Sequence, residues 1–392
     1  MERRMNAAAF ISRKLRFKGK TAMVSIAVSF LVMILAVSIS SGFRKELRDN
    51  VSAISGDIQI TSSSLNYVSE DSPISSIPPS LDAIRAVDGV ESIEPAVYRA
   101  GIVKKDDNIH GVLFKGVSAS DSTSSLQVSI PSKLSDLLGL KEGDDLIAYF
   151  VGERVKMRKF KVASIYRSLV EADDNLLVYA SLSDLQRLNS WEQDEVSALE
   201  ITLADHFRSR SRISMKTDEI GTLALLMADA EDDDLIATPI TDKYSRIFDW
   251  LDLIDLNVMV ILILMTVVAG FNMISGLLIL LFQNISTIGI LKSMGMTDRA
   301  ISELFLRVSS NLVLKGMAIG NILALLFCAL QSSTHFIRLN PENYFISFVP
   351  VSVNVPMILL ADLLAYVGIM LLLLLPTLFI SKVDPAQTVR AQ

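Results

Sequence analysis

Few residues in this chain have the types and spacing that catalysis requires. Among 392 residues there is one cysteine, Cys328, and three histidines, His110, His206 and His335. A single cysteine closes no intramolecular disulfide and builds no cysteine-cluster metal site. The histidines lie far apart in sequence, and no HExxH or HxH spacing supports zinc. Gly19-Lys20-Thr21 matches the end of a phosphate-binding loop, but Lys14 stands where the first glycine belongs. That triplet also precedes an apolar run instead of following a strand, so it reads as a basic flank. No GxSxG is present. A membrane aspartyl protease needs two carboxylates that share acid and base roles, and Asp362 is the one acid inside an apolar stretch. The acidic run at 231–234 lacks the alternating ligands and turn glycine of a calcium loop and reads as solvated surface. No catalytic residue, metal ligand or cofactor site is assigned to this chain.

The elements that remain are apolar. Mean hydropathy is +0.43, high for a soluble protein. The net charge of −6 conceals a split. Segment 44–255 holds 23 Lys+Arg against 37 Asp+Glu, a net of −14, and the rest holds 14 against 6, a net of +8. A helix needs about 20 apolar residues to cross a bilayer. Four stretches supply them: 21–43, 256–282, 312–336 (interrupted near its start by Lys315) and 355–380 (interrupted by Asp362). The first is longer than the apolar core of a signal peptide and reads as a retained span. Seven basic residues precede it: Arg3, Arg4, Arg13, Lys14, Arg16, Lys18 and Lys20. Lys292, Arg299 and Arg307 follow the second span, Lys382 and Arg390 follow the fourth, and Arg338 alone separates the third from the fourth. Basic residues mark the cytoplasmic side. The expected division is therefore a cytoplasmic N-terminus (1–20), a first span (21–43), an extracytoplasmic block (44–255), a second span (256–282), a cytoplasmic connection (283–311), a third span (312–336), an outer loop (337–354), a fourth span (355–380) and a cytoplasmic tail (381–392).

The expected fold class is a membrane protein: four transmembrane α-helices, with a large mixed α/β domain inserted between helices one and two. Ile58 and Ile60, and then Leu199, Ile201 and Leu203, alternate with polar neighbours as on half-buried strands. Segments 146–151 and 155–166 read as a hairpin turning at Gly152-Glu153. Short helices are expected at 80–87, 133–138 and 182–188, and a longer one at 215–229. Segment 72–80, with Pro73, Pro78 and Pro79, reads as a loop. The block has room for two subdomains. Apolar residues at helical spacing in 44–55 and 244–256 predict stalk helices continuing spans one and two. Gly316-xxx-Gly320, Ala36-xxx-Ser40 and Ser38-xxx-Gly42 are spacings that let helices approach closely. Pro376 is expected to kink the end of span four.

The most informative segment follows span two. It reads GILKSMGMTDRAISELFLR, residues 289–307. Helical spacing is taken to group Ile290, Leu291 and Met294. Gly295 is placed to end that helix in the left-handed conformation. Thr297 is placed to cap the next helix, with Asp298 complementing its dipole. Ile301, Leu304, Phe305 and Val308 then share one side. A short helix at the cytoplasmic surface, a sharp turn and entry into span three follow.

This segment resembles the signature after the second span of FtsX/MacB-type ABC permeases, and most of all the lipoprotein-releasing LolC/LolE branch. GFRKELRDN (42–50), MTVVAGFNMISGLLIL (265–280), NYFISFVPV (343–351) and VDPAQTVR (383–390) are similar to that branch at the matching places around the four spans. The resemblance implies a transport subunit with no activity of its own. A separate ABC ATPase would bind ATP and Mg, and a second permease copy or a paralogue would complete the membrane unit. A lipoprotein would enter sideways from the outer leaflet of the inner membrane and pass to a periplasmic carrier. Ile290, Leu291, Lys292, Met294, Gly295, Asp298 and Arg299 become the residues expected to couple to the ATPase. Met33, Val37, Phe43, Met265, Val268, Phe271 and Met273 become candidates for an apolar cargo cavity, where flexible methionines suit varied acyl chains. Where the family carries charges before the coupling segment, this chain has Gln283-Asn284-Ile285-Ser286-Thr287. Where LolC has a hook that recruits its carrier, this chain has 188–196 (LNSWEQDEV), with no proline and with Trp191 as the carrier-contact candidate. The alternatives are a MacB-like export permease and an FtsX-like signal transducer controlling a wall hydrolase. The outer domain of the latter is usually much smaller than 44–255.

Overall fold

The computed structural model describes residues 20–377, apart from 71, 106–107, 119–124, 153, 167–175, 227–234, 341–343 and 345. The basic residues before Lys20, the acidic run at 231–234, Glu153 of the expected turn, and the tail with Lys382 and Arg390 lie outside the described residues.

In chain order, helix α1 spans Lys20–Ser55 and is followed by strands β1 (Ile58–Ser62) and β2 (Ile74–Ser75). Helix α2 (Leu81–Arg85), the long strand β3 (Val90–Lys105), β4 (Asn108–Val117) and β5 (Gln127–Pro131) come next. Then follow α3 (Ser132–Leu138), β6 (Asp145–Phe150), β7 (Lys156–Tyr166), β8 (Leu177–Ser181) and α4 (Leu182–Asn189). Strands β9 (Glu195–Val196) and β10 (Ala198–Leu203) lead to α5 (Arg210–Leu226), β11 (Leu235–Pro239) and α6 (Ile240–Lys243). The chain continues through α7 (Ser245–Gln283), α8 (Ile285–Ser293), α9 (Asp298–Thr334), α10 (Val355–Leu372) and α11 (Leu374–Thr377). Two compact units result. The helical unit lies within Met1–Lys45, Trp250–Arg338 and Phe348–Gln392, and the α/β unit within Glu46–Asp249 and Leu339–Ser347.

Among the described residues of the helical unit, four helices are long and apolar enough to cross a membrane. Ile26, Phe30 and Met33 of α1 pack with Ala269, Met273 and Leu277 of α7, Ile301 and Phe305 of α9, and Ala365 and Ile369 of α10. Gly316 and Gly320 of α9 face α1. A methyl at Gly316 would sit 2.7 Å from Ile26 Cγ2, and one at Gly320 would press on the Ala27 carbonyl and on Phe30. The expected small-residue spacing thus marks the α1–α9 contact. Gly42 is held against the Pro350 carbonyl in the same way. Polar side chains pair across the helices: Asn272 Nδ2 donates to Ser25 Oγ at 2.5 Å, and Asn321 Nδ2 to Asp362 Oδ2 at 2.6 Å. Ser310 and Tyr366 hydroxyls lie 2.8 Å apart. Just beyond the charge-free runs, Arg44 pairs with Asp255 and, at 3.5 Å, with Asp252, while the Phe43 ring meets Trp250 edge-on at 5.7 Å. Helix α10 breaks at Leu373, where Pro376 has no N–H to return to the Leu372 carbonyl.

The α/β unit is organised by β3. Its first half, with β10, β1 and β11, forms an antiparallel sheet in the order β11-β1-β10-β3. Helix α5 covers this sheet with Ile213, Ile220 and Ala224, all buried. The second half of β3 runs through β4, β8, β5, β7 and β6, and β6 pairs back onto β3 at Ile102–Lys104. Six strands therefore close into a barrel, which leaves no open edge there. Its interior holds Phe114, Phe150 and Phe160, with ring centroids 5.0–6.4 Å apart. Gly101 faces them, and a methyl there would lie 2.9 Å from Phe150.

The hairpin and the short helices expected from sequence are present, and the two-subdomain expectation becomes two lobes sharing one strand. Three readings need correction. Segment 72–80 is not wholly loop: Ile74 and Ser75 pair with Val196 and Glu195, between the flanking prolines. Helix α5 begins at Arg210, because Ile213 shares a face with Ile220, seven residues on. Strands β1 and β10 are not half-buried. Gln59 and Glu200 on their polar faces are 5% and 6% exposed, because Tyr98, Lys115 and Lys243 cover them.

Glycine at 320 is a steric requirement, so Gly320→Leu should destabilise the helical unit by about 1–3 kcal/mol, the usual range for overpacking. A clearly lower thermal unfolding midpoint in detergent, with a smaller effect for a leucine at the neighbouring Ile319, checks this.

Candidate functional site

Helix α7 ends where Asn284 turns its amide back onto the Leu280 carbonyl at 2.8 Å. Its backbone departs from helical geometry there (φ −112°, ψ 21°), and α8 starts at the next residue. An asparagine side chain that competes for main-chain partners gives the break a local cause. Helix α8 ends in a Schellman turn. Gly295, at φ +88°, donates to the Lys292 carbonyl, and Met296 donates to the Leu291 carbonyl at 3.0 Å. Thr297 then caps α9, its hydroxyl accepting from the Ala300 N–H at 3.4 Å, with Asp298 in the first turn. Lys292 closes the turn from one side to the other, 2.8 Å from Asp298.

The expected coupling residues divide over this geometry. Ile290 and Met294, one turn apart, are 51% and 78% exposed. Gly295 and Arg299 are also exposed. Leu291 corrects the expectation. Adjacent helical residues point about 100° apart, so it cannot share a face with Ile290. It turns inward with buried Ile288 and packs on the core of the helical unit, as Met296 does. Lys292 and Asp298 are engaged with each other. Ile301, Leu304 and Phe305 are buried together, as expected, and anchor the turn.

The cargo candidates do not form one open cavity in this chain. Met33 and Met273 are 2% and 1% exposed inside the main helical core, with Met265 half-buried against it. Val37 is buried in a second cluster with Ile34 and Ala324, and Phe43 packs on Trp250. Val268 and Phe271 are the exposed members, 41% and 60%. Amphipathic spacing alone did not separate these faces because α7 is apolar all round. About a tenth of its apolar window is buried, against half of that of α1. Trp191 is pinned rather than displayed. Its indole N–H donates to the Glu70 carbonyl at 2.9 Å, and the following connection is tied by Gln186 to the Gln193 and Glu195 carbonyls, both at 3.0 Å. Sequence reasoning missed the Lys292–Asp298 pair, since a separation of six residues across a turn has no periodic signature.

Residues 259–385 match the FtsX-like permease C-terminal family. Over its length the chain is 21% identical to the lipoprotein-releasing system transmembrane protein LolC of Xylella fastidiosa (strain 9a5c), covering 95% of this chain and 94% of that one. It is 23% identical to LolE of Haemophilus influenzae, covering 98% and 99%. Among solved structures, the periplasmic region of MacB from Actinobacillus actinomycetemcomitans matches at 11% identity and a TM-score of 0.30, covering 48% of this chain and 91% of that one. The chain is a multi-pass membrane permease with an FtsX-like C-terminal region. Over nearly its full length, it is similar to LolC and LolE.

A left-handed residue other than glycine costs on the order of 1 kcal/mol. Gly295→Ala, which meets no neighbouring atom, should therefore loosen this turn through backbone strain alone. Amide exchange at Met296 should rise several-fold, with the rest of α9 unchanged.

Proposed function

We propose that this chain is the permease subunit of an ABC transporter that releases lipoproteins from the outer leaflet of the inner membrane and hands them to a periplasmic carrier. The full-length likeness to LolC and LolE carries this reading. Each acyl methylene withdrawn from lipid costs about 0.8 kcal/mol, so a chain of a dozen costs on the order of 10 kcal/mol, and release needs an energy source. This chain is assigned no nucleotide site, so a separate ATPase supplies the energy, with ATP and Mg bound to that partner.

The basic residues beside the spans orient both termini to the cytoplasm and the α/β unit to the periplasm. Helix α8 then faces the cytoplasm, and exposed Ile290 and Met294 offer an apolar knob for a groove on the ATPase. Arg299 adds a charge beside it. A second permease, identical or paralogous, completes the assembly. Acyl chains would meet the apolar face of α7 at Val268 and Phe271. Met33, Val37, Phe43, Met265 and Met273 would reach cargo only when the helices separate. Trp191 would meet a carrier only by leaving its bond to Glu70.

Co-reconstituted with the ATPase and a fluorescent lipoprotein, Met294→Glu should leave the chain folded and ATP hydrolysis present while release falls about tenfold or more, equivalent to about 1.4 kcal/mol of lost coupling. Leu291→Glu should instead lower the unfolding midpoint. Unchanged release by Met294→Glu would remove the coupling role of α8.

A further inference from the structure

Gln59 and Glu200 sit directly opposite each other in the middle of β1 and β10, and both are buried. Lys115 of β4 donates to Glu200 Oε2 at 2.7 Å. The same ammonium donates to the Ile54 carbonyl at 2.6 Å. Ile54 lies in the last turn of α1, where carbonyls lack helical partners and the dipole is negative. On the other side, Gln59 Nε2 donates to Glu200 Oε1 at 3.1 Å, and Gln59 Oε1 accepts from Lys243 Nζ at 2.7 Å. Lys243 closes α6, two residues before α7 begins. Tyr98 braces the middle. Its hydroxyl accepts from Gln59 at 3.0 Å and donates to Glu200, and both ammonium groups lie within 6 Å of its ring. Burial, reinforced by the Glu200 carboxylate, pushes that hydroxyl well above its ordinary range and keeps it a donor.

An unbroken polar line thus runs from the end of α1 to the threshold of α7. A sheet needs no such line for stability. Neighbouring positions Ile58, Ile60, Leu199 and Ile201 are apolar, and a buried ion pair is often no better than apolar packing of equal volume. The line gives directional fixing instead, and its ends lie at helix termini rather than on strands.

We propose that Lys115, Glu200, Gln59 and Lys243 are positioning residues forming a strut that holds the sheet-side ends of α1 and α7 at a fixed separation, so that displacement of one helix is passed to the other. Its purpose rests on the reading of the chain as an ATP-driven permease, but its test does not. Spin labels at Ala53→Cys and Ser245→Cys, in a full-length Cys328→Ala background in nanodiscs, report the separation. The Lys115→Met/Glu200→Gln pair removes both charges together, leaves no lone buried ion, and cuts the strut at Ile54. Gln59→Leu cuts it at Lys243. Each cut should widen the distance distribution about twofold, with the paired variant melting within a few degrees of the parent. Phe150→Leu, in the barrel core, should lower the melting midpoint without widening. An unchanged width in the paired variant would overturn the strut, and so would equal widening by Phe150→Leu. Neither ATPase nor cargo is needed, so loss of the release activity and loss of the strut are read separately.

Discussion

An ammonium group cannot sit inside a protein unless something nearby answers its charge. Lys115 is answered twice, by the Glu200 carboxylate and by the Ile54 carbonyl in the last turn of α1. That requirement brings three distant parts of the sequence to one point: the end of the first long helix, the second half of the barrel hairpin and the strand that returns from the barrel. The sixteen residues of β3 then have two tasks, pairing with β10 at one end and closing the barrel at the other. Below the same point, Asp57 is fully buried, accepting from Leu203 N–H at 2.8 Å and from Arg208 at 3.0 Å. Burial raises its pKa, while the Leu203 N–H and Arg208 pull it back. The start of β1 is therefore held from both sides.

The helical unit answers a different constraint. A lipid environment offers no hydrogen bonds, so backbone groups must be satisfied within helices, and helices are joined by close approach and by sparse polar pairs. Gly316 and Gly320 supply the first, and Ser25–Asn272, Ser310–Tyr366 and Asn321–Asp362 the second. Between α7 and α9, the stretch from Asn284 to Thr297 breaks the long helices with the short α8 and a tight turn. There the turn closes on its own hydrogen bonds, and Ile290 and Met294 stand out as exposed apolar side chains among the described residues.

Much of this was legible in the sequence because it is periodic or local. The four apolar runs, the hairpin at 146–166, the glycine at 295 and the threonine cap at 297 are signals contained within a few turns or strands. The misses are non-local. Leu291 was grouped with Ile290 because both are apolar, and the choice of which faces inward depends on a core assembled from α1, α7, α9 and α10. Glu200 and Gln59 read as outward-facing because their partners, Lys115 and Lys243, come from separate parts of the chain. The cargo candidates are apolar residues on spans one and two. Burial divided them, and no sequence period distinguishes a buried methionine from an exposed one on a helix that is apolar all round.

The proposed drive by a separate ATPase acts through the exposed face of α8. A photo-crosslinking amino acid at position 294, compared with one at 291, tests it most directly in membranes containing the chain at native level. An ATP-binding partner should be crosslinked from 294 and none from 291. Adducts to lipid alone at 294, or the ATPase captured equally from the inward position 291, would contradict it.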